Sequence, residues 1–284
     1  MPVPERDKAR DAIAEAEEKE KRANMKEFMI KVGNFFFKWR DTVLSLILLA
    51  ALFLVAYPGQ DLPPIGDLRS WKITASQEII VSVAGFLLVL AGQIVRAVTI
   101  GWAYIKRGGL NKKIYAETLV RRGMFAHSRN PLYLGNLLIA TGAIVSVNQF
   151  WYWILVLPLV YFLYYSIIFA EEKFLSGKFG ADYDVYMKEV NRLMLGNLGD
   201  WSKSVEGMTF TWKRLINKEH GSIVVIFSAL ALYNALKFHF RHNLEWNDPW
   251  AYALFGILAA LLIFQIVCVI MKKNRMLEWD SERP

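Results

Sequence analysis

The chain is poor in the residues that most often announce a chemistry. It holds one cysteine, Cys268, in 284 residues. A disulfide within the chain is thereby excluded, as is a metal site built on thiolates. Cys268 lies inside an apolar run, where it reads as packing. Of the four histidines, His239 and His242 fall far from the basic loops described below, and a surface role is expected for both. There is no zinc-ligand spacing, no glycine-rich phosphate loop after a strand and no internal repeat. No metal is expected. The first thirty residues have neither a short apolar core nor a small-residue cleavage pattern, so no removable signal peptide is expected. Proline is scarce too. Three of the nine fall in PGQDLPPIGDLRSWKITAS (58–76), which marks that stretch as a turn-rich cap.

What the chain does have is apolar surface, in the wrong distribution for a soluble core. It is 55% hydrophobic and 14% aromatic. The apolar residues gather in six blocks, at roughly 42–57, 79–104, 132–147, 150–170, 222–238 and 250–271. At about 1.5 Å per residue each block approaches the roughly 30 Å hydrocarbon thickness of a bilayer. The third is short and relies on its neighbour across the polar step VNQ. Lipid offers no partner for free backbone groups, so these blocks must be helical.

The net charge of +8 could suggest a nucleic-acid partner, but its placement argues for a membrane. Lys106, Arg107, Lys112, Lys113, Arg121, Arg122 and Arg129 lie between blocks two and three. A second basic group, from Lys173 to Lys218, lies between blocks four and five, and Lys272, Lys273 and Arg275 follow block six. The other loops carry few cations. Positive charge in every second loop puts both termini and the two long loops in the cytoplasm. The expected fold is all-α: a polytopic membrane protein with about six transmembrane helices.

Four regions follow. Residues 1–33 read as a charged cytoplasmic helix with Glu15–Lys19 and Glu18–Arg22 at pairing distance along one face. Residues 34–78 open on NFFFKWR, an interfacial anchor, and continue as the first spanning helix and its outer loop. Residues 79–200 hold the hairpin of blocks three and four with its flanking loops. Residues 201–284 supply a connector and two more spans.

Chemistry is expected where the hairpin's two open ends meet. HSRNPLYLG (127–135) enters it, and FAEEKFLSGKFGADYDVYMKEVNRL (169–193) leaves it. Arg129, Asn130 and Tyr133 should therefore lie near Glu171 and Glu172, at the boundary of lipid and water. The acids read equally as solvated or paired with lysines, or as ligands for a cation such as an amino group. Asn130–Pro131 is a helix start, which also offers N–H groups and partial positive charge to an anion. Arg96, with Gln93, lies inside block two, about two turns from its end. An arginine there either pairs structurally or contacts a ligand.

The run LVRRGMFAHSRNPLYLG (119–135), then a hairpin, then EEKFLSGKFGADYDVYMKEVNR (171–192), resembles the two-part signature of the isoprenylcysteine carboxyl methyltransferase family and its phospholipid methyltransferase relatives. The resemblance implies an integral-membrane enzyme that binds S-adenosylmethionine without a Rossmann domain and takes a lipid substrate from the bilayer. It implies that Leu119 and Val120 contact the cofactor, that Asn130, Pro131, Leu132 and Tyr133 line its pocket, and that Glu171 holds its polar end. Phe125 stands where the family has tyrosine, keeping the ring and losing the hydroxyl. Glu117 and Thr118 replace a His and an Asn of the eukaryotic enzymes, and Ile167 replaces a substrate-contacting arginine. Cofactor positions are kept while substrate positions are not, which argues against a prenylated cysteine as acceptor.

The function expected is methyl transfer from S-adenosylmethionine to a lipid or other hydrophobic acceptor, whether carboxylate, amine or thiol. An ammonium acceptor needs a base, for which Glu172 and Glu117 are candidates, and Arg129 would orient an anionic acceptor or anchor its loop. Two other readings stand beside this one. A membrane reductase of the sterol-reductase type would bind NADPH through Lys106, Arg107, Lys112 and Lys113. A non-catalytic scaffold would use residues 1–33 to hold partners. The acceptor and the oligomeric state are not written in the sequence.

Overall fold

A computed structural model describes residues 3–56, 74–103, 114–149, 152–243 and 245–278. Among them the chain is all-helical. The order is α1 (Val3–Ala56), α2 (Ala75–Trp102), α3 (Pro131–Val147), α4 (Leu157–Phe179), α5 (Ala181–Glu189), α6 (Trp201–Ser204), α7 (Trp212–His242) and α8 (Pro249–Lys273). A π-helical turn, Tyr152–Val156, leads directly into α4. Four segments are long and apolar enough to cross a membrane: Ala75–Trp102, Tyr152–Phe179, Trp212–Phe240 and Pro249–Lys273. α3 is a shorter apolar helix. The first apolar block forms the last turns of α1, and most of its side chains lie outside the described residues. So do the proline-rich cap over 58–73 and the cations Lys106, Arg107, Lys112 and Lys113.

α2 and α3 form the tightest contact. Gly85 and Gly92 on α2 face Gly142 and Gly135 on α3, with the same seven-residue spacing on each helix. A Cβ at Gly92 would come within 2.5 Å of the Gly135 carbonyl oxygen, and one at Gly142 within 2.5 Å of that of Gly85. Hydrocarbon provides no hydrophobic drive between helices, so close backbone approach through small residues takes its place. α2 is closed at both ends by side chains. Thr74 and Gln77 cap its start reciprocally, with Gln77 N donating to Thr74 Oγ1 at 3.3 Å and Thr74 N donating to Gln77 Oε1 at 2.9 Å. At its end the buried Arg214 of α7 donates to the carbonyls of Ile100 and Gly101, both at 2.7 Å.

α1 runs unbroken through the junction of the charged and aromatic segments. Its charged part is exposed, and Glu18 pairs there with Arg22 as the i,i+4 spacing predicts. Further along, Ile30, Gly33 and Phe37 are buried, and a Cβ at Gly33 would strike the Ser166 carbonyl of α4. Phe37 thus joins Tyr133, Leu137, Val160, Tyr164, Ile167, Ile168 and Leu193 in one apolar cluster. α8 packs along α7, with His220 Nδ1 at 3.0 Å from Gln265 Oε1. Tyr252, Phe255, Leu262 and Ile263 stay exposed, as on a lipid-facing helix.

α2 and α7 are antiparallel and carry matched charges. On α2, Glu78 precedes Arg96 by eighteen residues; on α7, Glu219 precedes Lys237 by the same interval. Eighteen residues is about five turns, so acid and base share one face of each helix roughly 27 Å apart. Each acid meets the other helix's base: Lys237 Nζ lies 2.9 Å from Glu78 Oε1, and Arg96 Nη2 lies 2.9 Å from Glu219 Oε1.

Candidate active site at the open end of the α3–α4 hairpin

The two loops predicted to converge are stitched together by backbone. Arg129 N donates to the Asn191 carbonyl and Gly196 N to the His127 carbonyl, each at 2.9 Å. Ser128 Oγ donates to the Leu193 carbonyl, also at 2.9 Å. His127 is buried between them, with Nδ1 at 2.8 Å from the Gly196 oxygen and Nε2 at 3.1 Å from Ser204 Oγ, its ring stacked on Trp201. HSRN is therefore the seam between the hairpin's entrance and exit, not a polar collar in solvent.

Glu172 is the hub of that seam. It is buried, and both of its oxygens are engaged. Oε1 accepts from Arg129 Nε at 3.1 Å, Arg129 Nη2 at 2.9 Å and Asn130 Nδ2 at 3.3 Å. Oε2 accepts from Arg192 Nε at 2.9 Å. Arg129 also donates through Nη1 to the carbonyls of Met187 and Val190, at 2.7 and 2.8 Å. Arg129 and Glu172, expected from sequence to act on an acceptor, are thus each other's partner.

Glu171, one residue earlier, faces differently. It is half-buried, and Tyr133 Oη donates to its Oε1 at 2.7 Å. Tyr133 is buried against Tyr164, with ring centroids 5.8 Å apart. The start of α3 lies beside this pair. Asn130 holds the N-cap position and Pro131 the first turn, as expected, but the Asn130 side chain does not cap the helix. Its Nδ2 turns instead to Glu172 and to the Arg192 carbonyl, the latter at 3.1 Å. The expectation of an asparagine cap is corrected by the side chain's direction: a cap needs Oδ1 turned to the first N–H groups of α3, and the two bonds donated by Nδ2 hold the amide toward Glu172 and Arg192 instead. α3 begins with no side-chain cap, and its amides carry the helix's partial positive charge.

The remaining predicted residues border the same end. Leu132 is half-buried and Pro131 fully buried on α3's first turn. Phe125 is buried, and its carbonyl accepts from Tyr186 Oη at 2.6 Å. Leu119 and Val120 are half-buried, whereas Glu117 and Thr118 are exposed. Their segment is tied to α4 and α5 by hydrogen bonds from Lys178 to the Ala116 carbonyl and from Arg121 to the Asp182 carbonyl. Ile167 is buried in the apolar cluster around Tyr133. Burial, and then the negative charge of Glu172, pushes the Tyr183 hydroxyl above the usual phenol range. Burial followed by Tyr183 does the same to Tyr186. Both phenols stay protonated, which excludes them as bases at neutral pH.

Sequence reading singled out Arg96 and Gln93 and left open a structural pair or a ligand contact, but missed their partner, Glu219. Arg96 Nε and Nη2 donate to the two oxygens of Glu219, both at 2.9 Å, and Nη1 donates to Asn136 Oδ1. Gln93 Nε2 donates to Glu219 Oε2 at 2.8 Å. Arg96 is thus paired within the membrane segment by an acid that hydropathy had left outside block five.

An all-helical chain with several bilayer-length apolar segments and a polar site at one end of them defines an integral membrane protein of the helical type. Residues 80–182 match the family model of phospholipid methyltransferases. The matched segment runs from α2 to the first residues of α5, about a third of the chain; it fits the family that the two-part motif resembles and supports a membrane methyltransferase. No curated protein and no solved structure matches the chain.

Proposed function

We propose that the chain transfers the methyl group of S-adenosylmethionine to a lipid or other hydrophobic acceptor, at a site facing the cytoplasm. The observation that carries this reading is the pairing of unlike ends: a half-buried carboxylate, Glu171, beside an uncapped helix start. An amino-acid zwitterion needs an anion for its ammonium group and N–H donors for its carboxylate, and these residues fit both needs. Glu171 and the first turn of α3 at Leu132 and Tyr133 would hold that polar end. Leu119, Val120, Phe125 and Pro131 would wall the rest, and Glu117 would lie at the rim. When bound, the cofactor supplies a sulfonium-activated methyl group for in-line displacement.

The chain's own part is positioning and exclusion of water. Tyr133 orients Glu171. Glu172, Arg129, Arg192 and Asn130 fix the turn from which α3 starts, and we assign Arg129 and Glu172 to that positioning role. A carboxylate already accepting from two guanidinium groups and an amide is badly placed to take an acceptor's proton. The test is binding of radiolabelled S-adenosylmethionine to purified, correctly inserted protein. Glu171→Ala should lose donor affinity by about tenfold or more, the value of one charge-assisted bond, and Asn130→Ala should lose affinity too by loosening the turn from which α3 starts. Wild-type affinity in both variants would sink the reading.

A further inference from the structure

Two lysines come level on the facing sides of α7 and α8. His220 Nδ1 of α7 lies 3.0 Å from Gln265 Oε1 of α8, which sets the register of these antiparallel helices. Seven residues before His220 stands Lys213, and seven after Gln265 stands Lys272. Seven residues are about two turns, so each lysine shares the face of the residue it is counted from, about 10 Å nearer the end that holds the candidate site. The end of α8 is fixed there. Met276 N donates to the Met271 carbonyl at 2.9 Å, with Arg275 left-handed at a φ of 56°. The Leu277 carbonyl just beyond accepts from Asn217 Nδ2 of α7 at 3.4 Å.

Lys213, Lys272 and Lys273 are exposed, and among the described residues no ion pair engages them. Glu278 is held by Arg275 at 3.6 Å. The negative end of a helix accounts for Lys272 and Lys273 on α8. It does not account for Lys213, which stands at the positive end of α7, in a first turn without an acid. Like charges gathered in this way are relieved by an anion between them. Trp212, Ile270 and Met276 are exposed alongside, so the patch borders hydrocarbon as well as water.

We infer that Lys213 and Lys272, with Lys273 and Arg275 at the rim, bind the phosphate of an anionic phospholipid at the membrane surface. Their exposure leaves room for the headgroup, and the apolar side chains beside them favour a lipid over a phosphate free in solution. The site lies beyond the family-matched segment, and it stands whether or not the chain transfers methyl groups. It gives the last two helices a hold on a negatively charged leaflet.

The test is native mass spectrometry of the full chain in detergent micelles, titrated with dioleoylphosphatidylglycerol or dioleoylphosphatidylcholine. The two lipids share their chains and differ in net charge. Wild type should bind the anionic lipid about tenfold more tightly or better, at about fivefold for each lysine near the phosphate. Lys213→Gln with Lys272→Gln should remove most of that preference, and Lys213→Arg with Lys272→Arg should keep it. Lys19→Gln with Lys26→Gln, on the exposed part of α1, subtracts the same charge and should also keep it. Equal binding of the two lipids by wild type overturns the inference. So does a preference that survives the paired glutamines, or one that is lost in the paired arginines or in the α1 variant. Deacylated glycerophosphoglycerol binding as tightly as the lipid would mark a site for soluble phosphates and overturn it as well.

Discussion

At one end of the α2–α7 pair Lys237 meets Glu78; at the other, Arg96 meets Glu219, and both distances are 2.9 Å. Around Lys237 everything is buried. Its ammonium donates to Ser82 Oγ at 2.8 Å and to the Ser146 carbonyl at 2.6 Å, while Asn148 Nδ2 lies 3.3 Å from both Glu78 oxygens. Asn234 Oδ1 lacks a partner there, but Asn234 and its neighbours Ser146 and Lys237 are buried, so no path leads to it. Around Arg96 burial is incomplete: 12% of the arginine side chain is exposed and Asn136 is half-buried, while Gln93 and Glu219 are buried. A sealed ion pair between helices fixes geometry, whereas the Arg96 pair also reaches the surface, near the candidate site. The difference lies in accessibility, since the charges are the same.

The largest expected effect comes from breaking either pair on one side. Lys237→Met strands a buried Glu78, and Glu219→Ala strands Arg96. Each should lower stability by about 3–5 kcal/mol in chemical unfolding from mixed micelles. Removing both partners separates the two ends. Glu78→Leu with Lys237→Met should recover most of that stability and keep methyl transfer. Arg96→Met with Glu219→Leu should recover stability without methyl transfer. Turnover in the second double variant equal to wild type would erase the distinction.

Next in size, Glu171→Gln should weaken donor binding by roughly tenfold to a hundredfold with a smaller effect on the melting midpoint, since the side chain is only half-buried and the amide can still accept from Tyr133. Tyr133→Phe should cost a few-fold, because it removes the phenol that orients Glu171. Gly92→Ala or Gly135→Ala drives a methyl into backbone and should cost about 1–3 kcal/mol of stability. Gly256→Ala on α8 meets no atom within 4 Å and should raise stability slightly, by at most about 1 kcal/mol.

The smallest effect is expected at Asp200 and Lys203, an exposed pair 2.8 Å apart outside the membrane. The hydrogen bond from Lys203, then its charge, holds the Asp200 carboxyl below its usual value. Its contribution is present above the usual carboxylate value and is lost as pH falls through the depressed one. The Lys203 ammonium is raised by the same bond, so its contribution is lost only as pH rises through that raised value. Solvent screens both, and Asp200→Asn should leave the melting midpoint at pH 7 unchanged.

Hydropathy recovers α2, α3 and α8 nearly whole, because length and apolarity are what a bilayer selects, but ends the fourth block at 170, whereas α4 runs on through Glu171 and Glu172 to Phe179. It starts the fifth block at 222, whereas α7 begins at Trp212. The missing turns hold Arg214 and Glu219, polar residues whose partners lie on α2, out of reach of any local window. The meeting of HSRN with the EE segment was legible, since a tight hairpin has only one way to bring its open ends together. Which of the two acids would receive Arg129 and Arg192 was not, because that depends on where their guanidinium groups come to rest. Two signals were available and unread: glycines seven apart on both α2 and α3, and an acid preceding a base by eighteen on both α2 and α7.

That second interval has a mechanical meaning. Sliding α7 along α2 by a single turn would strand two acids and two bases in hydrocarbon together. The last third of the chain is therefore keyed into one position against the family-matched segment, like a bolt with a notch at each end.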